Sequence, residues 1–136
     1  MRIFLDANIL FSAAKSDGAI RLLLALLVRA GHTCCADGHV IEEARRNLAA
    51  KASGGVAYLE TILRGVEVTS AHPADSAGTR ELPLPEEDRP VLAAAIRLGC
   101  EVLVTGDKTH FGPLLGATIH GFTIYSPRSL ADKLLK

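Results

Sequence analysis

Met1-Arg2-Ile3-Phe4-Leu5-Asp6-Ala7-Asn8-Ile9-Leu10 is the stretch that decides the fold. Ile3, Phe4 and Leu5 form an apolar run too short for a helix and suited to a parallel strand buried on both faces. The run stops at an acid, Asp6, and the predicted strand covers residues 2–6. In open α/β sheets, ligands bind in the crevice outside the carboxyl ends of the strands. A carboxylate placed there is a candidate member of an acid group around a divalent cation. Asn8 follows two residues on, and Ile9, Leu10 and Phe11 resume the apolar pattern.

Working outward, Glu101 to Thr105 reads as a strand around the apolar run Val102-Leu103-Val104, ended by Gly106-Asp107. Thr33 to Ala36 and Phe122 to Tyr125 read as further strands, and Val66 to Thr69 alternates as an edge strand does. Helical patterns fill the intervals. Ser12 to Gly18 reads as a polar connection, with Ser16 or Asp17 capping a helix that runs to about Ala30 and stops at Gly31. Asp37 or Gly38 opens a helix through about Ala52, Ser53-Gly54-Gly55 breaks it, and Val56 to Leu63 is helical again. Ser70 to Pro85 reads as a loop, Arg89 to Leu98 as a helix, and His110 to Leu115 as a short helix. Ser126 caps a closing helix with Pro127 at its first position. Strands alternating with helices predict a single α/β domain over residues 1–136, a three-layer α/β/α arrangement around a parallel sheet of about five strands.

The 136 residues are 49% hydrophobic but only 4% aromatic, so the core must be aliphatic. The 15 basic and 15 acidic residues cancel, which argues against a protein that coats nucleic acid, though not against an enzyme that grips a phosphodiester locally. The longest apolar run, Leu22 to Val28, is too short to span a membrane. No charged start leads into a long apolar stretch. Cys34, Cys35 and Cys100 show no CxxC spacing and read as reduced, buried thiols. A cytoplasmic location without membrane attachment is expected.

Asp6 and Asp107 share a context, each just past an apolar strand. If those strands are neighbours, two like charges approach, and a cation between them would relieve the repulsion. Asp88 sits at a helix start, where an N-cap acid is ordinary. At 100° per residue it also shares a face with Val91, Leu92, Ala95 and Gly99, so it points inward beside the strand ends. In the helix that Asp37 opens, the core stripe is Asp37, Ile41, Ala44 and Leu48. Glu43 lies on the Val40–Asn47 flank nearer that stripe, whereas Glu42 has the spacing of exposed ion pairs with Arg45 and Arg46. Glu43 is the better candidate, and Glu42 remains the alternative.

Phe4-Leu5-Asp6-Ala7-Asn8-Ile9-Leu10, then Val40 to Leu48, then Leu84-Pro85-Glu86-Glu87-Asp88 through Leu103-Val104-Thr105-Gly106-Asp107, and finally Ser126-Pro127-Arg128, together resemble the PIN domain nucleases, the fold shared by VapC-like toxins. The resemblance spans nearly the whole chain. It implies an acidic quartet at Asp6, Glu43, Asp88 and Asp107, accompanied by Asn8 and Thr105. It further implies endoribonuclease activity on RNA and a possible antitoxin partner from a type II toxin–antitoxin pair. Oxygen donors without His or Cys at ligand spacing point to Mg²⁺ or Mn²⁺. Lys15, Arg45, Arg46, Arg89 and Lys108 lie near the motifs and are candidates for the RNA backbone.

The helix after Gly18 is apolar beyond one stripe, since Leu22 and Leu26 fall outside Ile20, Leu23, Leu24, Leu27 and Val28. It expects cover from a neighbouring helix, a homodimer contact or a protein partner. Two other functions fit less well. A PIN-like interaction module without activity would not need four acids. A different Asp-centred α/β phosphohydrolase would show DxD at the first strand, where this chain has Asp6-Ala7-Asn8, and a receiver domain would show an acidic pair after that strand.

Overall fold

The structure, a computed structural model, describes residues 1–71, 89–107, 111, 114–119 and 121–135. Its first strand, β1 (Arg2–Leu5), stops one residue short of the expected end because Asp6 caps the helix that follows. The expected connection from Ser12 is helical as far as Lys15. α1 (Ala7–Lys15) buries Ala7, Ile9, Leu10, Ala13 and Ala14, so the small residues that look like a linker are packing positions. α2 (Ala19–Arg29) starts at Gly18 without a side-chain cap, not at Ser16 or Asp17. Gly31 ends it at φ +90°, a conformation that glycine adopts without strain.

β2 (Thr33–Asp37) leads directly into α3 (Gly38–Lys51), capped by Asp37, whose carboxylate accepts the Val40 N–H at 3.2 Å. α4 (Gly55–Leu63), β3 (Val66–Thr69), α5 (Arg89–Arg97) and β4 (Val102–Val104) follow as expected. A two-residue strand absent from the sequence reading, β5 (Thr118–Ile119), pairs antiparallel with β6 (Phe122–Tyr125). The chain closes on α6 (Pro127–Leu134), where Ser126 and Ser129 form a reciprocal capping box. Much of the expected helix at His110–Leu115, most of the Ser70–Pro85 loop, and the positions of Asp88 and Lys108 lie outside the described residues.

Strand order is β3-β2-β1-β4-β6-β5, with every pair parallel except β5–β6. Helices cover both faces. The chain steps outward from β1 to β2 and β3, then returns to place β4 on the other side of β1. The order therefore reverses between β1 and β4, and that crevice is where open sheets of this kind bind ligands. Ile3, Phe4, Leu5, Leu103, Val104 and Ile124 are fully buried in the central strands, which pins their register. The three cysteines are buried and free. Among the described residues no helix is long and apolar enough to cross a membrane.

Candidate active site

The β1–β4 ladder pairs Leu5 with Val104, and β4–β6 pairs Val104 with Tyr125. Two more hydrogen bonds extend it, Asp6 N–H to Val104 O at 3.1 Å and Thr105 N–H to Tyr125 O at 3.0 Å. Asp6, Thr105 and Ser126 thus stand side by side, one step past the ends of three neighbouring strands. All three are polar, following strands that are apolar.

At the β1–β4 switch this row becomes a closed network. Asp6 and Thr105 are almost fully buried, at 5% and 1% exposure. Asp6 Oδ1 accepts the Ala7 N–H at 2.7 Å, and Oδ2 accepts the Thr105 hydroxyl at 2.7 Å. The Thr105 oxygen in turn accepts the Asp107 N–H at 3.0 Å. A carboxylate cannot donate, so the hydroxyl proton must point at Asp6 while the Asp107 amide fills a lone pair behind it. Asn8 closes the ring. Its Oδ1 accepts the Gly106 N–H at 2.8 Å, which turns Nδ2 toward Asp6 Oδ2 and Thr105 Oγ1, both at 3.3 Å. Gly106 lies close to that amide, and a Cβ there would come within 3.3 Å of Asn8 Oδ1. One threonine hydroxyl and one asparagine therefore tie the acid after β1 to the turn that presents Asp107.

The structure brings Asp6, Asn8, Thr105 and Asp107 together, with Asp107 half-buried at the rim. Glu43 is half-buried on α3. Glu42 is exposed and paired with Arg45 at 3.4 Å. Arg45 also reaches Glu60 of α4 at 2.8 Å, so its guanidinium is committed to joining two helices. Successive helical residues step by 100°, so Glu43 is turned away from Arg45 and α4. Lys15 sits in the last turn of α1, about 13 Å along the helix from Asp6, with its ammonium over the Phe11 ring. Arg46 is exposed on α3. Asp37 opens α3 and lies on the core stripe that the helix phase gives it. It is 1% exposed, at the end of β2 beside β1, and in register with Thr69 of β3. Helix phase puts Asp37 on the core side, and strand pairing with β3 completes its burial.

Among the described residues no three His, Cys, Asp or Glu side chains gather as a complete cation site, but the donor set at the switch has the chemistry of one. It is all oxygen, it lies at the switch point, and Asp6 is buried with its plane fixed by three hydrogen bonds. Hard divalent ions take such ligands, and hydrogen bonds to ligating carboxylates orient them.

A second concavity lies elsewhere. A cavity of about 370 Å³ between α2, α4 and the β2–β3 edge is lined by Arg21, Leu24, Val28, Cys34, Tyr58 and Ile62, among others. Arg21 stacks on Tyr58 at 3.6 Å and donates to the Ala13 and Ala14 carbonyls of α1 at 2.9 and 3.4 Å. Burial, reinforced by the neighbouring Cys35, pushes the Cys34 thiol up to about 11. α1, β2 and α6 pack against α2 and leave Leu22 and Val28 exposed at 59% and 48%.

Among solved structures the chain is similar to VapBC2 from Rickettsia felis bound to a promoter DNA fragment (17% identity, TM-score 0.68, 93% of this chain and 98% of that one). It is also similar to VapBC from Salmonella typhimurium bound to DNA (18%, 0.66, 93% and 98%). A third likeness is to VapC20 from Mycobacterium tuberculosis, a toxin that cleaves the Sarcin-Ricin loop (12%, 0.62, 87% and 97%). At these identities the likeness is one of fold. No curated protein matches the sequence at a significant level. The PIN domain family matches residues 2–109, more than three-quarters of the sequence and all of the β1–β4 switch, and the chain belongs to that family.

Proposed function

We propose that this protein is a divalent-metal-dependent endoribonuclease acting as the toxin of a toxin–antitoxin pair, with residues 1–136 working as one domain. The observation that carries the reading is the network that joins buried Asp6 to the Thr105–Asp107 turn at the switch point. An N-cap alone would not need the hydroxyl and the second amide.

In this reading Asp6 and Asp107 hold Mg²⁺ or Mn²⁺, and Asp88 and Glu43 complete the acid set or orient the attacking water. Such an ion supplies charge stabilisation at the phosphate and a more acidic water. Thr105 keeps Asp6 oriented, because its single proton is already directed at Oδ2. Asn8 fixes the spacing between Asp6 and Gly106, and so the reach of Asp107. Arg46 and Lys108 remain candidates for backbone phosphates. Lys15 and Arg45 are less suited, the first by distance and the second by its ion pairs.

The α2–α4 face fits an antitoxin chain. Leu22 and Val28 offer apolar contact, and α2 carries Arg21 and Arg29 but no acid, so an apolar segment bearing carboxylates complements it. A homodimer across the same face would set these like charges against each other about a twofold axis.

The test is cleavage of an unstructured RNA with Mg²⁺, Mn²⁺ or chelator, beside Asp6→Asn. Loss of cleavage in chelator and a drop of about 10²-fold or more in the variant are expected. Cleavage that survives both overturns the reading.

A further inference from the structure

Six positive side chains of this protein stand at the C-terminal ends of helices. Lys15, Arg29, Lys51, Arg97 and Lys133 each stand in the last turn of their helix, and Arg64 stands at the C-cap of α4. Cations favour that end, where the helix dipole is negative. Helices in a parallel α/β fold run opposite to the strands, so these residues lie toward the sheet edge away from Asp6. Of the first-turn cations whose side chains are described, Arg21 has its own explanation in Tyr58 and the α1 carbonyls. Arg128 has none. It occupies the second position of α6, is exposed, and makes no ion pair or side-chain hydrogen bond among the described residues. The first turn of α6 contains no acid to offset it. A cation at a positive helix end opposes the fold by a few tenths of a kcal/mol or more.

Its position supplies a reason. α6 starts at Ser126, which is next to Thr105, which is next to Asp6. Arg128 therefore rises from the acidic edge itself, about two strand spacings or roughly 10 Å from Asp6. We infer that Arg128 binds a backbone phosphate of the RNA strand adjoining the one cut at the acids, and so positions the substrate. This rests on the ribonuclease reading above. A guanidinium suits a phosphate through its paired N–H donors, and on a neutral protein such local cations must supply the phosphate contacts that net charge does not.

The test is anisotropy of a labelled single-stranded RNA oligonucleotide across salt concentrations with the intact protein, alongside cleavage kinetics. Arg128→Ala should weaken binding roughly fivefold at low salt and reduce the slope of log K against log salt by about 0.7, the share of one phosphate contact on a single strand. KM should rise with kcat kept, Arg128→Lys should recover most of the affinity, and the melting temperature should not fall. Arg29→Ala, at the opposite edge, is the control. If wild type binds RNA and Arg128→Ala matches Arg29→Ala in affinity and slope, the Arg128 inference alone is overturned. If wild type neither binds nor cleaves RNA, the ribonuclease reading fails and takes this inference with it.

Discussion

Thr105 shows how much one hydroxyl can decide. It is buried, donates to Asp6 Oδ2 and accepts from the Asp107 N–H. Thr105→Val keeps the shape and removes these two bonds together with the one from Asn8 Nδ2. A half-buried amide and a buried carboxylate oxygen each lose a partner, a change worth about 1–3 kcal/mol. If the acids hold a cation, the loss should also appear as a 10- to 100-fold weaker Mn²⁺ affinity, the usual effect of deleting a group that orients a ligand. Titration calorimetry checks this, and Thr105→Ser, which keeps the hydroxyl, should restore most of it. Valine and wild type binding Mn²⁺ alike would mean the hydroxyl serves folding alone. The sequence placed Thr105 in the site only through resemblance. The direction of its proton depends on a strand 99 residues away from Asp6, and no local pattern reveals that.

At the scale of elements, the contact of α1, α3 and α4 turns on Gly55. A Cβ there would lie 2.8 Å from Leu48 Cδ2 and 3.0 Å from the Ala14 carbonyl oxygen. The leucine can turn aside, but the backbone oxygen cannot. Gly55→Ala should therefore destabilise by about 1–3 kcal/mol and lower the melting temperature by roughly 4–10 °C. Gly54 is the internal comparison, since it is already in right-handed helical geometry with nothing within 4 Å of a Cβ. Gly54→Ala should be neutral or stabilising by up to about 1 kcal/mol. Equal melting temperatures for the two variants would remove the steric argument. The same contact explains an expectation that failed. Ser12 to Gly18 looked like a linker because Ala13 and Ala14 are small, yet they are small because α4 sits on them. Runs such as Ile3-Phe4-Leu5 and Val102-Leu103-Val104 were legible because burial on both faces leaves continuous apolar stretches. Two-residue β5 was not, since its pairing with β6 is its main distinguishing feature.

For the molecule as a whole, α1 joins two surfaces with different demands. Its N-terminus carries Asp6 and Asn8, and its last turn gives the Ala13 and Ala14 carbonyls to Arg21 beside the α2–α4 cavity. On the ribonuclease reading, the acidic edge must stay open to a polyanion. The α2 face leaves Leu22 and Val28 exposed, apolar surface that a binding partner would cover. The two roles should then separate by mutation. Val28→Glu adds a carboxylate where an acid-bearing partner segment would dock, far from the β1–β4 switch. On the toxin reading, RNA cleavage by the isolated chain should be unchanged, while co-purification with a co-expressed antitoxin chain should be lost. Sedimentation of the isolated chain bears on the rival occupant. If a homodimer used this face, the new carboxylates could pair with Arg29 of the other copy and association would change with the substitution. Identical sedimentation of wild type and Val28→Glu across concentration, together with loss of the heterologous complex, is the result expected. A complex that survives Val28→Glu would move the partner off this face.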